Sequence, residues 1–139
     1  MTTSNTYCPN TNPVQVLRDA ADYLEVNGWI RGKFFVRTGM NDEPTPACAL
    51  GAIQIAVVGV ALDVFSVFNV GAPEFDTTVH AAGMVIDHLR QQHDTAQLSL
   101  TSKTTALAKW NDRHGRTVTE VVTAMREAAD RHSTLRAVS

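Results

Sequence analysis

At 139 residues, with 44% apolar and 19% charged residues, the chain has the length and composition of one folded domain with a single hydrophobic core. A formal net charge of −2 and a pI near 6.2 exclude the strongly basic balance of electrostatic nucleic-acid binders, so no nucleic-acid partner is expected. Two cysteines are too few for a disulfide framework, and the first residues lack the basic and apolar regions of a signal peptide, which predicts a cytoplasmic protein.

The polar ends of the chain bracket one predicted domain. Residues 1–12 are rich in Thr, Ser and Asn, and residues 133–139 follow the last apolar positions, with fraying expected after Arg131. We therefore expect both ends to be tails and residues 13–132 to form the domain.

The first helix is predicted to begin at Pro13, because Asn12 is a good N-cap and proline suits the first helical position. Gln15 stands at capping-box spacing from Asn12, and Gly28 favours the end of the helix at that point. Apolar residues at helical spacing give the buried face: Leu17, Ala20, Ala21 and Leu24.

The segment from Ala47 to Leu62 reads ACALGAIQIAVVGVAL and is apolar except for Gln54. Thr45 and Pro46 precede it and are expected to open a second helix that ends near Gly59. A membrane span needs about 20 residues, and this shorter run is bounded by prolines and an aspartate. We therefore predict a buried core helix and no membrane partner.

The sequence does not decide the secondary structure of two stretches beside this helix. Phe34–Val36 fits a short strand or an extended segment held by its aromatic rings. Residues 57–70 are rich in β-branched side chains, and a helix with a break is the interpretation we favour.

Three more helices are predicted in the second half of the chain. Residues 71–73 form a turn whose proline starts the third helix. Thr101 or Ser102 is expected to cap the fourth, and Thr117 with Glu120 has capping-box spacing for the fifth. The fold class is thus mainly α, a single-domain bundle of about five helices. The Phe34 and Val64 regions are the candidates for a short two-stranded element.

The stretch KWNDRHGRT, residues 109–117, joins the fourth and fifth helices and is called the corner below. Glycine and short polar side chains suit a joint between helices, and this is the main interpretation, with Trp110 expected to be buried. The alternative makes the corner a ligand site, with an arginine that holds an anion near a helix N-terminus. The candidate binding residues are Asn111, Asp112, His114 and Arg116.

Cys48 is the one candidate nucleophile. A thiol in the first turn of a helix can have a lowered pKa, and His80, His88 or His114, with Asn111 or Asp112 to orient it, would complete a catalytic arrangement. A cysteine between alanines is more often a small buried residue, and we favour that interpretation. The five histidines form no zinc signature, and no phosphate-binding glycine loop occurs. We therefore assign no catalytic residue, no metal and no cofactor.

Three blocks together resemble a known family. They are LRDAADYLEVNGW (Leu17–Trp29), CALGA (Cys48–Ala52) and the corner motif WND..GRT..EVV (Trp110–Val122). Their order resembles that of an uncharacterised family, a domain of unknown function, found in actinobacteria and their bacteriophages. The three blocks cover 31 of the 139 residues, and the resemblance implies a shared helical scaffold, with no activity, substrate or cofactor to carry over.

Two functions stay open, and whether the chain is an enzyme is left undecided. The first is a non-catalytic helical protein-binding module, a small phage or actinobacterial accessory protein that acts on a host protein, with surplus apolar surface for that partner or for homo-oligomers. The alternative is a small cysteine-dependent hydrolase or transferase that uses Cys48 with His114 and Asp112. A DNA-binding use of the corner is disfavoured by the acidic pI and by the apolar face of the fifth helix.

Overall fold

The computed structural model describes residues 11–32, 46–58, 73–90 and 99–138, and within these ranges the fold is mainly α, as predicted. No sheet occurs in them, and one isolated parallel bridge joins Trp29 to Ala47. The Phe34 and Val64 regions, and with them the predicted strand pairing, lie outside these ranges. The five helices are α1 Pro13–Asn27, α2 Ala49–Val58, α3 Pro73–Leu89, α4 Leu100–Asp112 and α5 Val118–Val138.

Helix α1 forms as its end signals predict. The Asn12 side chain accepts hydrogen bonds from the backbone N–H groups of Val14 and Gln15, at 3.1 and 3.4 Å, which satisfies two donors that the helix itself leaves unpaired. The Gln15 side chain does not complete a capping box and instead donates to Asp19. Gly28 ends the helix with φ +102°, and its N–H still bonds to the carbonyl of Leu24.

Helix α2 begins at Ala49, later than predicted, because Pro46–Cys48 is held in an extended conformation. Ala47 donates to the Gly28 carbonyl at 3.2 Å and accepts from the Ile30 N–H at 3.1 Å. These bonds are the bridge that joins the start of α2 to the end of α1, so Cys48 precedes the helix and does not lie in its first turn.

Both later helix starts follow from short polar caps. Ser99, not the predicted Thr101 or Ser102, caps α4, and its Oγ accepts from the Ser102 N–H at 3.0 Å. The predicted capping box of α5 is confirmed, since Thr117 Oγ1 accepts from the Glu120 N–H at 3.2 Å and Glu120 Oε1 accepts from the Thr117 N–H at 2.9 Å. Helix α5 runs on to Val138 and does not fray after Arg131.

Helix α2 is central and contacts α1, α3 and α4, while α5 packs against α1 and α3. This position explains why α2 is apolar apart from Gln54, since a surface helix would keep one polar face. None of the described helices is both long and apolar enough to cross a bilayer. The largest fully buried apolar side chains are Leu17, Leu24, Ile53, Ile86, Leu107 and Met125.

Candidate functional site

The side chain of Asn111 joins three segments of the fold. It is fully buried, and its Oδ1 accepts from the Trp29 indole N–H at 2.7 Å and from the Ala49 N–H at 2.9 Å. Its Nδ2 donates to the Ile30 carbonyl at 3.2 Å and to Asp112 Oδ1 at 3.0 Å. An amide has two donor hydrogens and two acceptor lone pairs, so the full bonding capacity of Asn111 is used inside the protein.

Asp112 ties the segment after α1 to the corner. Its Oδ1 accepts from the Gly32 N–H at 2.8 Å, in addition to the bond from Asn111. Arg31 adds a second link, because its Nη1 donates to the Arg113 carbonyl at 3.2 Å. Asp112 is exposed, but its hydrogen bonds join the segment after α1 to the corner.

Arg116 is engaged by its own corner. The guanidinium carbon lies 4.1 Å from the centre of the Trp110 ring, Nε donates to the Trp110 carbonyl at 3.0 Å, and Nη1 donates to Glu120 at 3.2 Å. The guanidinium group therefore stacks on an aromatic face. It also supplies a donor to a backbone carbonyl at the end of α4. Trp110 itself is half-buried, less than the burial predicted for it.

His114 and Gly115 form the outer edge of the corner, and both are exposed. Gly115 has φ +86°, which the chain needs in order to turn from α4 into α5. Within the ranges that the structure describes, the His114 side chain takes part in no hydrogen bond. Of the predicted binding residues, three are used internally and only His114 faces solvent unengaged.

The environment of Cys48 disfavours the thiolate. The residue is 6% exposed, and its Sγ accepts from the Gly51 N–H at 3.3 Å. Burial raises the pKa of the thiol to about 11, against smaller opposing effects of backbone hydrogen bonds from Gly51 and Leu50, and the Asp112 charge raises it further. At neutral pH the sulfur is a protonated thiol, the form that is not the nucleophile.

The predicted catalytic partners do not assemble around the sulfur. No hydrogen bond in the described ranges joins Cys48 to a histidine, and Asp112 bonds to Gly32 and Asn111. His80 and His132 bond to carbonyls of their own helices, and His88 lies 3.1 Å from Glu127. The described residues also hold no group of three side chains able to bind a metal. This geometry does not favour thiol catalysis.

On the described part of the chain, two open grooves are surfaces that a ligand can reach. The first, called the apolar groove, has a volume of about 620 Å³ and lies between the end of α1 and the first half of α5. The second, called the basic groove, has a volume of about 680 Å³ and follows one face of α4. Both volumes fall in the range of ligand sites in proteins.

The fold and the corner together define a small all-α protein whose polar motif residues mostly brace the packing of its helices. The chain belongs to a family of unknown function, DUF6197, whose model matches residues 8–131. No curated protein and no solved structure matches this chain. The resemblance to a family without assigned function is confirmed at that level, while the actinobacterial or phage origin stays a prediction.

Sequence reasoning missed Trp29 and the basic groove. The bond from Trp29 to Asn111 connects residues 82 positions apart, and no local pattern encodes such a pair. The basic groove did carry a signal, because Thr101, Thr105, Lys109 and Arg113 recur at every fourth position. That spacing places them in one row on a helix.

Proposed function

We propose that this chain is a non-catalytic protein-binding module, a small accessory protein of a bacteriophage or an actinobacterium that acts on a protein of the host. The apolar groove is the observation that carries this proposal. The state of Cys48 supports it, because a buried, protonated thiol supplies no nucleophile, and so do the internal bonds of Asn111, Asp112 and Arg116.

The apolar groove has the composition of a small protein interface. Its floor contains Leu24, Trp29, Val118 and Val122. Val118 is 37% exposed at the first position of α5. Val26, in the last turn of α1, is 80% exposed and does not line the groove. These two valines are the exposed large hydrophobic residues of the described ranges. Apolar area surrounded by polar side chains is the arrangement found at protein interfaces.

The rim of the groove is charged and held in place. Arg126 donates to Glu25 and to Asp22, both at 2.7 Å. The hydrogen bond from Arg126 lowers the pKa of Glu25, and the bond to Glu25 raises the pKa of Arg126. Both groups therefore stay ionised at neutral pH. Trp29 is fixed by its bond to Asn111, so the groove is formed before a partner arrives, which limits the ordering that binding would require. We take the occupant to be an apolar side chain of a protein partner.

Photo-crosslinking at Val118 tests the proposal. A photoreactive residue replaces Val118 in one variant and Ser133 in a control, since Ser133 is exposed on the same helix and lies outside the groove. Both are expressed in the host, and adducts are identified by mass spectrometry. We expect a host protein crosslinked from position 118 and absent from position 133.

The identified protein is then purified and titrated against the wild type and Val118→Asp. Aspartate suits the first turn of a helix, so the fold is retained, while a charge in the groove is expected to weaken binding by tenfold or more, about 1.4 kcal/mol. Equal binding by Val118→Asp, or adducts only between copies of this chain, would contradict the proposal. Ser133→Asp serves as the matched control.

A further inference from the structure

One face of α4, together with the residue that follows the helix, lines the basic groove. Two rows with a spacing of four residues form this lining: Thr101, Thr105, Lys109 and the C-cap residue Arg113 in one, and Ser102, Ala106 and Trp110 in the other. Neighbours at this spacing lie side by side along a helix. Arg90, which follows the end of α3, completes the lining.

The basic side chains of this groove differ from most others in the described ranges because no carboxylate there pairs with them. In these ranges Arg90, Lys109 and Arg113 form no ion pair. Arg31 also forms none and bonds to a carbonyl, whereas four other basic side chains meet acidic ones: Arg18 with Asp130, Lys103 with Asp87, Arg116 with Glu120, and Arg126 with Asp22 and Glu25. The groove thus collects positive charge in a protein whose net charge is −2.

The positive charges lie towards both ends of the groove. The Lys103–Asp87 pair, at 2.9 Å, places the end of α3 beside the beginning of α4, so Arg90 belongs to the end that holds Thr101 and Ser102. Lys109 and Arg113 belong to the other end. At 1.5 Å per residue, the row from Thr101 to Arg113 is about 18 Å long. This separation is too large for one phosphate or carboxylate to contact both ends.

We propose that the basic groove binds an acidic, extended segment of a protein partner. An extended chain advances about 3.3 Å per residue, so about five or six residues fill the groove and place carboxylates near both ends. Arginine and lysine form charge-assisted hydrogen bonds with carboxylates. The inference rests on the proposed function in that the occupant is a protein, and it adds a second contact surface, one that carries positive charge.

A nucleic-acid strand fits this groove less well. Binding of single strands uses aromatic faces on which successive bases stack. Trp110 is the aromatic residue lining this groove, and Arg116 already stacks on its ring at 4.1 Å. The acidic pI also opposes the electrostatic attraction on which such complexes depend.

Fluorescence anisotropy with labelled hexaglutamate tests the proposal on the full chain. Hexaglutamine, a six-nucleotide thymidine strand and pyrophosphate are the comparison ligands. We expect saturable binding of hexaglutamate that weakens as salt is added, and at least tenfold weaker binding of the other three. In NMR spectra the indole signal of Trp110 shifts with hexaglutamate, and that of Trp29 does not.

Two double variants of equal net charge locate the site. Lys109→Gln with Arg113→Gln removes the charges of one end and is expected to lower the affinity at least tenfold. Arg18→Gln with Arg131→Gln, on α1 and α5, is expected to stay within about twofold of wild type, well below a tenfold change of 1.4 kcal/mol. Absence of saturable binding, equal losses in both variants, a shift of Trp29 alone, or tighter binding of the thymidine strand or pyrophosphate overturns the inference.

The hexaglutamate test can fail independently of the crosslinking test of the proposed function. Val118→Asp leaves the basic groove intact and is expected to bind hexaglutamate as the wild type does. If the crosslink from position 118 is found and hexaglutamate does not bind, only the present inference fails.

Discussion

Asn111 shows how one buried polar side chain can hold several segments together. Its four bonds reach Trp29, Ile30, Ala49 and Asp112. The N–H of Ala49, on a fully buried residue, would otherwise lose its water on burial without gaining a partner. Since an unpaired buried donor costs about 1–3 kcal/mol, Asn111 stabilises the fold chiefly by preventing such a loss.

Asn111→Ala is therefore expected to lower the free energy of unfolding by roughly 2–4 kcal/mol, because the indole N–H of Trp29 and the N–H of Ala49 lose their acceptor. Urea denaturation followed by circular dichroism measures the change. Asp112→Asn retains an oxygen acceptor for Gly32 at an exposed position and should cost less than about 1 kcal/mol. A loss below about 1 kcal/mol for Asn111→Ala would show that the bonds to Asn111 contribute little.

Cys48 is expected to resist alkylation in the folded protein. Its pKa of about 11 and its 6% exposure leave little thiolate at pH 7.5 and little access for a reagent. Iodoacetamide labelling with mass spectrometry should modify Cys48 only after unfolding in urea, whereas Cys8 provides an internal comparison. Rapid labelling of native Cys48 would revive the thiol-dependent hydrolase or transferase.

The same thiol makes stability depend on alkaline pH. The folded protein holds the proton more tightly than the unfolded chain, whose thiol has the ordinary pKa of 9.0, so this contribution is complete below pH 9 and is lost as pH rises through about 11. The loss approaches about 3 kcal/mol, at 1.36 kcal/mol per pKa unit. Urea titrations of wild type and Cys48→Ala from pH 8 to 11 test this. Parallel pH curves for the two proteins would refute the assignment.

At the scale of the elements, two glycines set the angles between segments. Gly28 has φ +102° and ψ 160°, and a Cβ there would lie 3.3 Å from the ring of Pro46. Gly115 has φ +86°, and a Cβ added to it would meet no atom within 4 Å. At Gly28, a side chain is thus disfavoured both by the positive φ and by the close contact with Pro46. At Gly115, it is disfavoured by the positive φ alone.

Gly28→Ala should accordingly destabilise the protein by about 2–3 kcal/mol and Gly115→Ala by about 1 kcal/mol. Thermal unfolding of the two variants, measured side by side, gives the ratio directly. The opposite order would mean that α1 and the segment at Pro46 separate easily, and that the corner is the more rigid joint.

Local sequence signals predicted the ends of several helices well. Features that depend on contacts between residues distant in the sequence were not predicted. Asn12, Gly28 and the Thr117–Glu120 pair act within a few residues of their own helix end, so sequence spacing alone reveals them. The start of α2 was misplaced because Ala47 bonds to residues that follow α1. The basic groove was missed because Arg90, which follows α3, contributes one of its charges, and sequence does not show which helices are neighbours.

At the scale of the whole molecule, apolar packing dominates and surface ion pairs contribute little. The long-range pairs, such as Arg18–Asp130 and Arg126–Asp22, join largely exposed side chains, and such pairs each stabilise by about 0–1 kcal/mol. The bundle was predictable from composition and periodicity for this reason, since it depends on burying the apolar faces. The two grooves were not predictable in this way, because they are formed on the surface by residues from more than one segment.

Raising the ionic strength from about 0.05 to about 1 M sodium chloride should therefore change the free energy of unfolding by less than about 1 kcal/mol, because salt screens exposed pairs and leaves the core unaffected. Urea titrations at the two salt concentrations provide the measurement. A fall of several kcal/mol would mean that the ion pairs between α1 and α5 hold the bundle together.

The bond between Trp29 and Asn111 also supplies a reporter that needs no label. Its proton is shared by side chains 82 residues apart, so the bond breaks when the segment after α1 separates from the corner. Exchange of this one proton for deuterium thus reports local separation of these two segments. A single well-separated resonance would let that local opening be followed under conditions where no denaturant is present.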